Sequence, residues 1–172
     1  SNVLGKSISE DAVVWNMAWP GSSTDYLSRI VMLVLPLLKI DLLVTEFTYM
    51  VRREFFDIDG DMYDHRVNRL TETPQEKHIK TSFNNLSSNY NDAYNFLRNY
   101  KIVEGIVSKH QVKWLFSVIE QDLPKYNMVK HLVCDEKRVS SAKDVDKARD
   151  GGHIGPETHL LHGNSYYRKY KE

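Results

Sequence analysis

Cysteine, net charge and long apolar runs are all scarce in this 172-residue chain. A single cysteine, Cys134, excludes an intramolecular disulfide and fits a reducing compartment. With 23 basic and 23 acidic residues the formal charge is zero, so no overall field draws in nucleic acid or anionic lipid. The longest apolar run, Ile30 to Leu38, is interrupted by Pro36 and falls well short of the roughly 20 residues that cross a bilayer. The N-terminus lacks a basic region followed by an apolar one, so no signal peptide is expected. A glycine-rich loop of the kind that cradles phosphates is also missing, which counts against nucleotides. Internal repeats and low-complexity tracts are absent as well.

What remains has globular proportions, with 41% hydrophobic and 27% charged residues, and the length suits one domain over residues 1–172. Ala12–Ala18 is short and mostly apolar and runs into Trp19-Pro20-Gly21-Ser22-Ser23, which predicts a buried strand followed by a turn. Ser23 or Thr24 is the expected N-cap of a helix carrying Tyr26, Leu27, Ile30, Val31, Leu33, Val34 and Leu37, bent or ended by Pro36. Ile40–Thr48 reads as a second strand covered on both faces. Tyr49–Pro74 is polar and aperiodic, a connection long enough to be functional. From Gln75 the period becomes helical, with Phe83, Leu86, Tyr90, Ala93, Tyr94, Leu97, Tyr100 and Ile102 on one face. Val112–Ile119 is a third strand, Leu123–Cys134 is ambiguous, Asp135–Arg149 is loop-like, and His159–Tyr170 is a closing helix. Strands alternating with helices predict an α/β domain with a mainly parallel sheet, whose ligands bind beyond the carboxyl ends of the strands.

Three loops in this layout carry suggestive chemistry. Asn16 to Ser23 joins a polar side chain to a glycine turn whose amides suit an oxyanion. Thr48, Tyr49, Arg52 and Arg53 follow the second strand, although such arginines are more often solvated or paired, here with Glu54. Asp150-Gly151-Gly152-His153-Ile154-Gly155-Pro156 sets an acid near an imidazole on a loop bracketed by glycines and a proline. The acid can orient the ring for proton transfer, or the whole can be a capped turn.

Taken in order, the strand into Asn-x-Ala-x-Pro-Gly-Ser-Ser, the helix with Arg29, the Ile40–Val44 strand and the final Asp-Gly-Gly-His-Ile-Gly-Pro resemble an SGNH (GDSL-type) hydrolase. The likeness is to the small forms of phage and marine metagenomic sequences, and it spans roughly residues 4–170. It implies a three-layer α/β/α sandwich with a flavodoxin-like sheet and a serine esterase activity, with carbohydrate O-acetyl esters as the favoured substrate class. On that resemblance His153 is the general base, Asp150 its orienter and Gly21 an oxyanion donor, with Asn16, Thr48 and Arg52 near the substrate. The Val145–Arg149 lead-in carries no weight in it.

Two family blocks are missing. No Gly-Asp-Ser occurs in the sequence, so the resemblance places the nucleophile upstream of residue 1, with Ser1–Gly5 as a less favoured site for it. No Gly-x-Asn-Asp occurs either, and Thr48 or Tyr49 stands near its place. A base without a nucleophile does not perform acyl transfer, so this chain is expected to be inactive by itself. The alternatives are a non-catalytic binding or structural module of phage type, or an unrelated α/β protein sharing the loop by chance. A missing first strand would leave a sheet edge open beside Ala12–Ala18 and favour a homo-oligomer. The expected location is cytoplasmic or virion-associated, with no membrane or nucleic-acid partner.

Other constellations are weaker. Counted from Asp57, an EF-hand would need glycine where Met62 stands and glutamate where Asn68 stands. His159 and His162 share a helix face but lack a third ligand, so no metal site is assigned and no cofactor is required. Tyr90, Tyr94, Phe96 and Tyr100 suggest packing more than a base-stacking platform, since no basic stripe accompanies them.

Overall fold

The computed structural model describes residues 11–56, 58–60, 62–65, 74, 77–78, 81–82, 85, 88–119, 125–140, 144–149 and 153–172. Helix α1, Thr24–Val34, starts at Ser23, whose hydroxyl accepts the Tyr26 amide at 3.0 Å, and it ends in a 3₁₀ turn, Leu35–Leu37, around Pro36. Strand β1, Leu42–Phe47, follows, then a hairpin of β2, Arg53–Phe56, and β3, Met62–His65. Helix α2, Asn89–His110, is capped by Ser88 and closed by Gln111 in the left-handed region (φ 56°), which turns the chain into β4, Lys113–Val118. A 3₁₀ turn, Lys130–Cys134, and helix α3, Pro156–Lys171, complete the order.

β1 and β4 pair in parallel, from Leu42 opposite Lys113 to Phe47 opposite Val118. Side-chain alternation gives the pair two different faces. Leu43 and Phe47 with Trp114, Phe116 and Val118 meet α1 and α2, while Leu42 and Leu115 meet Tyr166 and Tyr170 of α3. Helices therefore cover both faces of a parallel sheet, as the α/β reading anticipates. The sheet is small. Residues 137–139 touch β4 through one bridge at Phe116, and among the described residues no strand pairs with the outer edge of β1.

Phe47 is fully buried at the centre, its ring centroid 5.3 Å from Phe96, 5.9 Å from Tyr100 and 6.0 Å from Phe116. Burying rings of this size removes most of the apolar surface that drives the fold together, and their edge-to-face contacts add to it. Two polar groups inside are matched: Trp114 Nε1 donates to Thr45 Oγ1 at 2.9 Å and Tyr166 Oη donates to the Thr45 carbonyl at 3.3 Å. Burial pushes the Tyr166 hydroxyl well above its usual pKa.

Four sequence expectations need correction. Ala12–Ala18 is irregular instead of a buried strand, with Val13, Trp15 and Trp19 each more than half exposed. An apolar run forms a strand only where a partner strand satisfies its backbone, and Ala12–Ala18 pairs with no described strand. Tyr49–Pro74 contains the β2–β3 hairpin, whose turn passes through Gly60 at φ 87°. Tyr90 and Tyr94 face outward at 71% and 64% exposure, and the buried stripe of α2 is Ala93, Phe96, Tyr100, Val103 and Val107. Phe83 and Leu86 lie outside the described residues. Finally, β1 is only partly covered, with Val44 and Glu46 exposed.

Candidate functional site

Chain direction brings the Gly21 turn, Thr48 and His153 toward one end of the sheet. α1 leads into β1 and α2 leads into β4, so both helix N-termini lie at the carboxyl end of the strands. α3 is antiparallel to them as well. Tyr166 bonds to Thr45 in mid-strand, while the Tyr170 carbonyl accepts Lys113 Nζ at the start of β4, which sends Pro156 and His153 toward the opposite, carboxyl end. The Gly21 turn, Thr48 and the His153 loop therefore share the edge where α/β sheets hold their ligands.

Gly21 has φ 74° in a Trp19-Pro20-Gly21-Ser22 turn closed by the Ser22 amide on the Trp19 carbonyl at 3.1 Å. Proline followed by a left-handed glycine is the demand of a type II turn. The turn occupies the Ser22 amide and leaves that of Gly21 outside its own hydrogen bond, beside the positive end of α1. The hydroxyls of Ser23 and Thr24 are occupied: Ser23 caps α1 and Thr24 Oγ1 accepts Asn99 Nδ2 at 3.1 Å, so both serve structure. Asn16 is exposed and turns its Oδ1 back onto the Ala18 amide at 3.0 Å, a local turn.

Thr48 is buried directly after β1, and its Oγ1 accepts Arg52 Nη1 at 2.8 Å. The Arg52 guanidinium also lies 5.0 Å from the centroid of the Tyr49 ring. These two residues form one local unit with the guanidinium stretched over the threonine. Arg53 does not pair with Glu54. It binds Asp92 at 2.8 Å, both side chains being nearly buried, while Glu54 takes Arg29 in a bidentate pair at 2.8 and 3.0 Å. The bonds to Glu54 make the Arg29 guanidinium more basic than usual, against the opposing effect of its partial burial.

These pairs belong to a polar seam between α1, α2 and β2. Asp25 Oδ1 accepts Asn99 Nδ2 at 2.6 Å and Asn95 Nδ2 at 2.8 Å, and its Oδ2 accepts the Glu54 amide at 3.1 Å. Ser28 Oγ donates to Asn99 Oδ1 at 2.8 Å. An open cleft of about 300 Å³ overlies the seam, with Asp25, Arg29, Glu54 and Arg98 on its walls. The acids and bases there neutralise one another, which suits a seam that docks the hairpin. Elsewhere Tyr100 Oη donates to Asp135 Oδ2 at 2.7 Å, and burial followed by that carboxylate raises its pKa strongly.

His153 is exposed, and its carbonyl accepts the Ala148 amide at 3.0 Å. Asp150, its expected orienter, lies outside the described residues together with Gly151 and Gly152, as do residues 1–10 with the alternative nucleophile position. The sequence reading passed over Asp146, which the structure places at the first turn of α3. Its carboxylate accepts the amides of Glu157 at 3.0 Å and Thr158 at 2.8 Å and the Thr158 hydroxyl at 2.7 Å. Desolvation pushes the Asp146 carboxyl up, but the Thr158 hydroxyl and the two amides outweigh it and hold the group below its ordinary value. The available signal is the Gly155-Pro156 helix start, which has no capping side chain of its own and has to take its acceptor from elsewhere. Among the described residues no three His, Cys, Asp or Glu side chains gather to hold a metal ion, and no helix is long and apolar enough to cross a membrane. Comparison of the chain with protein-family models, with curated proteins and with solved structures finds no match.

Proposed function

We propose that this chain carries the base half of an SGNH-type ester-hydrolase site, with His153 as general base, Asp150 as its orienter and the Gly21 turn as oxyanion donor. The observation that carries the reading is that the Gly21 turn, Thr48 and His153 all lie toward the carboxyl end of one parallel strand pair. Carbohydrate O-acetyl esters are the favoured substrates. No Gly-Asp-Ser occurs in these 172 residues, and the Ser23 and Thr24 hydroxyls are occupied, so the chain alone is expected to leave p-nitrophenyl acetate at the background rate. A longer gene product bearing an upstream Gly-Asp-Ser is expected to hydrolyse it and to lose the activity on His153→Ala. Hydrolysis that survives His153→Ala, or a gene with no such block, overturns the reading.

One observation favours a second reading, a non-catalytic, phage-associated carbohydrate-binding module. Trp15 and Trp19 are each 62% exposed on the segment that also carries Asn16 and Gly21. Exposed aromatic rings beside polar turns suit sugar faces. Binding of an acetylated oligosaccharide without turnover, lost in Trp15→Ser/Trp19→Ser, supports this reading; unchanged binding removes it. Either form is proposed to self-associate through the outer edge of β1, which no strand pairs among the described residues and where Leu42, Val44 and Glu46 direct their backbone groups away from β4. A monomer by light scattering counts against that assembly.

A further inference from the structure

Residues 146–148 and 153–155 are held side by side by two backbone hydrogen bonds. The Gly155 amide donates to the Asp146 carbonyl at 3.1 Å and the Ala148 amide to the His153 carbonyl at 3.0 Å, which sets Lys147 opposite Ile154 in an antiparallel bridge. The Asp146 side chain adds a third closure by reaching across to Glu157 and Thr158. Thr158 is fully buried and answers in kind: its hydroxyl donates to Asp146 Oδ1 and accepts the Val145 amide at 3.0 Å.

An ordinary N-cap belongs to the helix it caps and fixes only that helix. Here the N-cap position is Gly155, which has no side chain to offer, and the cap comes from the far side of the loop. Glycine is also a steric requirement. A Cβ at Gly155 would lie 2.1 Å from Asp146 Oδ2 and 2.4 Å from its Cγ, so any other residue would expel the carboxylate. Because α3 is itself tied to the sheet through Tyr166 and Tyr170, the linkage runs unbroken from β1 and β4 through α3 and Asp146 to the loop.

We infer that Asp146 is the positioning residue of His153, a lock that holds residues 147–148 and 153–154 on the first turn of α3 and so sets where the imidazole stands. The inference takes from the proposed function only the reading of His153 as the base. Asp146 itself touches no reacting atom; it acts through the loop.

NMR on the chain as it exists tests this, with the His153 signals assigned by their loss in His153→Gln. In Asp146→Ala, amide exchange at Gly155, Glu157 and Thr158 is expected to quicken several-fold. The His153 ring signals shift, and its backbone order parameter falls toward the flexible range, below about 0.6. The Trp114 indole signal stays in place. Gly155→Ala is expected to reproduce the effect without altering the acid, and the double variant to be no worse than Asp146→Ala alone, because the clash and the cap vanish together. Asp146→Asn should fall between, keeping an acceptor for Thr158 while losing the one for Glu157. Should Asp146→Ala not fold, Gly155→Ala and Asp146→Asn decide the matter. Faster exchange at Thr158 with His153 unmoved overturns the inference and leaves a simple helix cap; so does additivity in the double variant. Ester hydrolysis enters none of these readouts, so failure of the esterase reading and failure of the lock are separate results.

Discussion

The polar seam beneath the β2–β3 hairpin and the Asp146 lock are built from the same materials, carboxylates meeting backbone amides and partner side chains, in opposite surroundings. In the seam, Arg53 and Asp92 retain 11% and 4% of their side-chain exposure and join elements far apart in the sequence. In the lock, Asp146 is partly exposed and joins residues on either side of one short loop. Buried and long-range, the first set holds the fold together, since each of its members would be costly to leave without a partner. Local and near water, the second contributes less to global stability and more to where one loop lies. The difference separates residues whose loss should unfold the protein from those whose loss should only misplace His153.

The largest effect marks the top of that scale. Phe47→Ala empties the centre of the aromatic cluster and is expected to cost about 3–5 kcal/mol, read as a lower midpoint in urea denaturation. Asp92→Ala strands the Arg53 guanidinium in the seam and is expected to cost about 3 kcal/mol, with Arg53→Met/Asp92→Leu recovering much of it. If Asp92→Ala proves harmless, the seam is no more structural than the lock and the contrast between them fails. Thr45→Val removes the acceptor of the Trp114 indole while keeping its shape and should cost about 1 kcal/mol by the same measurement.

The periodic and capped parts of this fold were readable in its sequence, and the parts built by partnership were not. Ser23 as N-cap, Pro36 at the end of α1, and the strands at Leu42–Phe47 and Lys113–Val118 follow from local rules, and so does α3. Tyr90 and Tyr94 were assigned inward because they are aromatic, whereas Asp92, Asn95 and Asn99 occupy the buried side because Arg53 and Asp25 await them there. No reading of one helix can show that, since the partners sit on α1 and β2. Ala12–Ala18 failed for the converse reason: it has the composition of a strand and lacks a described neighbour to pair with. Of the candidate site, the Gly21 turn was legible from Pro-Gly alone. Arg52 was placed near Thr48 by its position after β1, but its bond to that threonine was not foreseen. The significance of Asp146 comes from an empty N-cap position nine residues on and from the missing Cβ of Gly155, neither of which is visible at Asp146 itself.

Acid sets the smallest and most local test of the contrast. The Asp146 carboxyl is held below its ordinary value of 3.8 in the folded chain, so its contribution is of the depressed-carboxylate kind. Such a contribution is fully present above the unfolded value and is lost as pH falls through the lower, folded one. The amide shifts of Glu157 and Thr158 should therefore stay constant through the ordinary aspartate range and move only at more acid pH, with a midpoint below 3.8. Asp146→Asn should remove that transition while leaving the rest of the acid profile intact. A midpoint at or above the ordinary value would mean that the carboxylate is not held by those amides, and the lock would then be no firmer than a solvated surface acid.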